Sequence, residues 1–141
     1  DEFMALATHK TPRDYRNTPR ESALVQADVA QAEARWTAAR HYLRAVVADA
    51  WREIDQGSHP TDPQRVAIRL ASTHAIHAAK DVIDSLYDAA GANAIMEAGP
   101  FERRFRDIHA VTQQLQGRKA HFETVGRYLL GLPLNLDRAQ I

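Results

Sequence analysis

Residues 100–131, PFERRFRDIHAVTQQLQGRKAHFETVGRYLLG, read as two helices broken near Gly117. In the first of them Phe101, Phe105 and Ile108 follow the i, i+4, i+7 spacing of a buried stripe, and Leu115 extends that apolar side. Arg103 and Arg106 lie three residues apart and therefore share a different face. Asp107, four residues after Arg103, can pair with it across one turn. Apolar neighbours are expected to shield that pair in part. His109 and Gln113 fall one turn apart on the same side, with Gln114 next in the chain. A helix that is greasy on one face and carries guanidinium, imidazole and amide groups on another belongs at the edge of a site or at a polar subunit interface.

The same helical pattern runs upstream. Thr18-Pro19-Arg20-Glu21 is a start signal, with a cap, a proline at the first helical position and a glutamate to complete a capping box. Val25, Val29, Ala32, Trp36, Ala39, Leu43, Val46, Ala50 and Ile54 then recur every three or four residues, which predicts one helix of about 35 residues. Gly57 ends it, and Ser58-His59-Pro60 forms the turn. Leu24, Tyr42, Val47 and Trp51 lie off the main stripe, more apolar surface than one bundle seam covers. Thr61-Asp62-Pro63-Gln64 repeats the start signal, and a second long helix runs from about residue 62 to Ala90, stopped by Gly91. Residues 91–100 form a short irregular or single-turn connection. Gly131-Leu132-Pro133 closes the last helix.

These elements predict an all-α fold, an up-down four-helix bundle with two long and two shorter helices over residues 18–133. Asp1-Glu2-Phe3 before Met4 has the look of a cloning scar, and residues 1–17 as a whole are read as that scar followed by an extended lead-in containing Pro12. Residues 134–141 read as a tail without strong signals.

Composition narrows the function classes. The 141 residues are 45% hydrophobic and 26% charged, ordinary for one globular domain. Eighteen basic residues balance eighteen acidic ones, so no net field draws in nucleic acid or an anionic membrane. There is no cysteine, hence no disulfide framework and no thiolate chemistry. No apolar run approaches the roughly 18 residues a membrane span needs, and no signal peptide is visible. A cytoplasmic protein is expected. His74-x-x-His77 has the spacing of a ligand pair, but the carboxylate partners of a bundle metal site are missing, so it reads as a half-exposed polar face.

In order and interval, several motifs resemble the C-terminal domain of the acyl-CoA dehydrogenase superfamily, in particular the branch containing flavin-dependent monooxygenases. They are Val25-Gln26 with Ala30-x-Ala32-Glu33-Ala34 and Ala38-Ala39-Arg40, then Leu86-Tyr87-x-x-Ala90-Gly91. Next come Arg103-x-x-Arg106-Asp107-x-His109-Ala110-x-x-Gln113, and Val125-Gly126-Arg127-x-Leu129-Leu130-Gly131. The similarity spans roughly residues 24–132.

The resemblance implies a flavin, FAD or FMN, in the full-length enzyme, with none expected to bind this chain alone. It implies cofactor contacts at Gly91, Arg103, Arg106 and Gln113, and catalytic positions near the flavin's reactive edge at His109 and Gln114. Gln114 stands where the related monooxygenases have a histidine; glutamine hydrogen-bonds but does not titrate. Either His109 takes over that role or the chemistry is absent. Arg103, Arg106 and Asp107 read first as an internal ion-pair network, with a phosphate clamp as the alternative. Expected partners are copies of the chain, the absent N-terminal and β-barrel domains, or a flavin reductase. The competing reading is a non-catalytic helical oligomerisation or interaction module.

Overall fold

Helix starts and stops encoded in the sequence account for most of what the chain does. The computed structural model describes residues 1–10, 18–55, 57, 59–97 and 99–133. Among these residues the chain is all-α with no strand, the class the sequence predicts. Its α-helices are α1 (Glu2–His9), α2 (Ala23–Ile54), α3 (Asp62–Ala90), α4 (Pro100–Thr112) and α5 (Ala120–Leu129), with 3-10 turns at Pro19–Glu21, Gly91–Asn93 and Leu115–Gly117.

Helix α1 corrects the sequence reading. Residues 5–9, read as the start of an extended lead-in, are helical within α1, and only at Lys10 does the backbone become extended. The cause is tertiary, because Phe3 and Ala7 are buried. The rest of the expected lead-in, residues 11–17, lies outside the described residues, as does the expected tail, 134–141. Ser58 of the expected turn does too.

The capping box at Thr18 forms as predicted: Glu21 Oε2 accepts from the Thr18 amide at 2.8 Å and from its hydroxyl at 2.9 Å. It caps the 3-10 turn, however, and α2 begins only at Ala23. The two hydrogen bonds from Thr18 hold the Glu21 carboxyl below its ordinary range. Helix α2 then runs 32 residues, about 48 Å at 1.5 Å per residue. Ala32, Ala39 and Ala50 are buried along it, and Val25, Val29, Leu43 and Val46 are half-buried on the predicted stripe. Trp36 and Ile54, expected on that stripe, are exposed. The off-stripe residues Leu24 and Trp51 are exposed as well, at 72% and 65%. At α3 the second start signal works as read, with the Thr61 amide donating to Gln64 Oε1 at 2.8 Å.

The chain divides into two units, Asp1–Trp36 with Ala79–Ala110, and Thr37–Ala78 with Val111–Ile141. In the first, Phe3, Ala7, Ala90 and Ala94 form a buried cluster against which Val25, Leu86, Tyr87 and Phe101 pack. Arg104 grips the Glu2 carboxylate with two bonds, Nε to Oε2 at 2.5 Å and Nη2 to Oε1 at 2.7 Å. That grip lowers the Glu2 carboxyl from its ordinary value. In the second unit, Val66, Ala71, Thr73, Ala78, His121 and Val125 are buried. Gly126 sits inside α5, where a Cβ would find no atom outside its own helix within 4 Å.

Candidate functional site

Helix α4 carries the polar face that the sequence singles out. Arg103 Nε lies 3.6 Å from Asp107 Oδ2, with the two side chains 79% and 63% exposed. The expected shielding is therefore absent: the apolar stripe of α4 turns Phe101, Phe105 and Ile108 inward and leaves the pair on the opposite side, in water. Arg106 Nη1 lies 3.5 Å from Glu102 Oε1, again an exposed arginine paired within its own helix. Exposed pairs of this kind contribute little. A thermal-unfolding double-mutant cycle with Arg103→Ala and Asp107→Ala should return a coupling below about 0.5 kcal/mol. A coupling near 3 kcal/mol would require a buried pair and contradict the exposure.

His109 is the best-positioned polar group of this face. Its Nδ1–H donates to the Phe105 carbonyl at 2.8 Å, the acceptor one turn back. Its ring lies 4.2 Å from that of Phe105, which in turn lies 4.4 Å from Tyr87. Nε2 faces Asp84 Oδ1 of α3 at 3.6 Å. That carboxylate oxygen is buried and makes no hydrogen bond, while the other oxygen of Asp84 takes the Lys80 ammonium one turn away. The hydrogen bond to Asp84 raises the Lys80 pKa above its ordinary value. A neutral ring with its proton on Nδ1 turns a lone pair toward Asp84; a second proton, on Nε2, makes the contact attractive. At 3.6 Å the two groups approach each other without a hydrogen bond between them. Asp84 was not foreseen, because a contact across 25 positions between separate helices leaves no mark on sequence spacing.

Gly91 ends α3 with φ +56°, the left-handed turn that favours glycine, and its surroundings are open. It belongs to the same unit as Arg103, Arg106 and His109. Gln113 and Gln114 belong to the second unit, in the turn after α4, and both are exposed. Gln114 caps the Leu115–Gly117 turn, its carbonyl accepting from the Gly117 amide at 2.9 Å. Of the two histidines with ligand spacing, His77 bonds the Gly117 carbonyl at 2.9 Å, and the exposed His74 packs edge-on to Tyr42. Among the described residues no helix is long and apolar enough to cross a membrane.

The sequence matches the family described as acyl-CoA dehydrogenase, C-terminal domain, over residues 1–117. The chain belongs to this family. Its relatives include two proteins named indole-3-acetate monooxygenase. That of Acinetobacter baumannii is 30% identical over 132 residues, which are 94% of this chain and 34% of the relative. That of Pseudomonas putida is 28% identical over 132 residues, 93% of this chain and 34% of the relative. Among solved structures, the 3-HSA hydroxylase from Rhodococcus sp. RHA1 superposes with a TM-score of 0.77 at 25% identity, over 83% of this chain and 31% of that one. The HsaA monooxygenase from M. tuberculosis shares the fold with a TM-score of 0.75 at 24% identity, over 82% and 30%. The resemblance read from the motifs, to the monooxygenase branch of this superfamily, is thereby established. The chain spans about a third of the length of the curated relatives it matches.

Gly91 leaves its backbone open to approach, and Arg103 and Arg106 present guanidinium groups outward on successive turns. Two clefts among the described residues, one of about 300 Å³ beside Phe3 and Arg104, the other of about 510 Å³ along α2 at Leu43 and Trp51, contain none of Gly91, Arg103 and Arg106.

Proposed function

We propose that the chain acts as the C-terminal helical domain of a flavin-dependent monooxygenase, forming one wall of the flavin pocket and building the oligomer. The observation that carries this reading is the partial coverage. The chain aligns along nearly its whole length with monooxygenases, yet with only a third of theirs. A domain that supplies one face of a shared site leaves its polar groups exposed when viewed alone, as Arg103, Arg106, Gln113 and Gln114 are. Gly91, Arg103, Arg106 and Gln113 would hold the cofactor, FAD or FMN. A bound flavin supplies the redox chemistry that activates oxygen. His109, oriented by the Phe105 carbonyl and facing Asp84, would hold or release a proton at Nε2, and Gln114 would donate a hydrogen bond. The exposed apolar surplus of α2, at Leu24, Val47 and Trp51, would meet another copy of the chain. The rest of the enzyme, an N-terminal domain and a β-barrel, would complete the pocket.

Affinity for a ligand of this size needs most of its surface buried, and one wall does not provide that. Purified chain is therefore expected to be colourless, and titration with FMN or FAD to give no saturable fluorescence quenching at micromolar concentration. Stoichiometric yellow protein would sink the partial-wall reading. Sedimentation should show self-association at tens of micromolar; a monomer of 15.8 kDa would leave the α2 surplus without its proposed partner.

A further inference from the structure

Three successive main-chain carbonyls in the turn between α4 and α5 each accept a hydrogen bond from a side chain. His121 Nε2 donates to Leu115 O at 2.6 Å, Thr73 Oγ1 to Gln116 O at 3.2 Å, and His77 Nε2 to Gly117 O at 2.9 Å. Two of the donors come from α3 and the third from α5, all within the second unit. Thr73 has no exposure at all, and His121 is 5% exposed. His77 is half-buried, with its ring beside that of Phe122. The turn's own amide bonds, Gln114 to Val111, Gly117 to Gln114 and Arg118 to Leu115, are made in addition.

A surface turn does not need this. Carbonyls at the protein–water boundary are satisfied by solvent. Here the buried Thr73 and His121 and the half-buried His77 are spent on consecutive carbonyls of a turn in which residues 113–116 are exposed and Gly117 is buried. Over-determining a backbone while leaving its side chains free is how a rigid scaffold presents groups to something outside it.

We infer that Thr73, His77 and His121 form a clamp that fixes the main chain of residues 115–117 and so positions Gln113 and Gln114 in the second unit. They are positioning residues and touch no ligand themselves. The clamp deepens the proposed function, resting on it only for the identity of what the glutamines meet. It also dictates chemistry in the two imidazoles, since each must carry a proton on Nε2. The Nδ1–H tautomer would set a lone pair against a carbonyl oxygen.

Hydrogen exchange of the flavin-free chain tests this, so its outcome is separate from that of the flavin titration. Thr73→Val and His77→Leu keep shape and remove the donor. Each is expected to speed exchange of the Gly117 and Arg118 amides by about tenfold or more, with the amides of α1 in the first unit unchanged. His77→Gln carries an N–H near the position of Nε2 and should return the rates to within about threefold of the unaltered chain. Thr73→Ser should match the unaltered chain. Unchanged rates at Gly117, an equal rise at every amide, or a glutamine variant as fast as leucine would each overturn the clamp. Imidazole nitrogen NMR of the unaltered protein gives an independent reading: Nε2–H for both His77 and His121 is expected, and an Nε2 without a proton in either refutes the assignment.

Discussion

Phe3→Ala is expected to lower the free energy of unfolding by about 3 kcal/mol. Phe3 is 5% exposed and anchors α1 to the first unit's buried cluster, against Ala90 and Ala94. Removing a buried ring forfeits its transfer from water and leaves a cavity that a helix of eight residues does not refill. The two tryptophans make the measurement local, because Trp36 belongs to the first unit and Trp51 to the second. Fluorescence-detected denaturation of a Trp51→Phe background should show the loss at Trp36. A change below about 1 kcal/mol would mean that α1 does not dock as described. Acid should act in the same direction. The Glu2 carboxyl is depressed by its bonds to Arg104, so its contribution is complete above the ordinary glutamate range and fades as pH falls through the lowered value.

Gly117→Ala is expected to cost about 2 kcal/mol. A Cβ at 117 would stand 2.9 Å from the Thr112 carbonyl oxygen and 3.0 Å from Thr112 Cα. These are main-chain atoms at the end of α4 and have little room to give. The turn would have to open, straining the bonds to Leu115, Gln116 and Gly117 as it did so. Thermal unfolding followed by circular dichroism reads the loss. An alanine variant as stable as the original would show that the turn yields freely and is not held.

What the sequence made legible follows from where the information lies. The long helices were readable because their caps and apolar periods are local: Thr61 with Gln64, Gly91 after Ala90, and the stripe from Val25 to Ala50. Helix α1 was not, because eight residues carry too little period and its burial depends on Leu86, Tyr87 and Phe101 far along the chain. The spacing of Arg103 and Asp107 gave their pairing correctly but not their exposure, which depends on how α4 is rotated against its neighbours. Gly117 was read as a helix breaker, whereas its lack of a side chain also answers to the backbone of Thr112. The donors to residues 115–117 were hidden for a different reason. Main-chain carbonyls are the same in every residue, so an acceptor some 40 positions from Thr73 or His77 leaves no trace in composition.

Gly126 has a consequence for how variants of this chain should be read. A glycine inside a helix costs about 1 kcal/mol relative to alanine, and no atom beyond α5's own turns occupies the place of the missing methyl. Folding alone would therefore favour alanine at 126. Tolerance at this position is thus a gauge of what lies outside the chain. In isolation the methyl is harmless and mildly beneficial, and only a neighbouring surface seated against the bare main chain, beside the exposed Leu129 and Leu130, would register it as an obstruction.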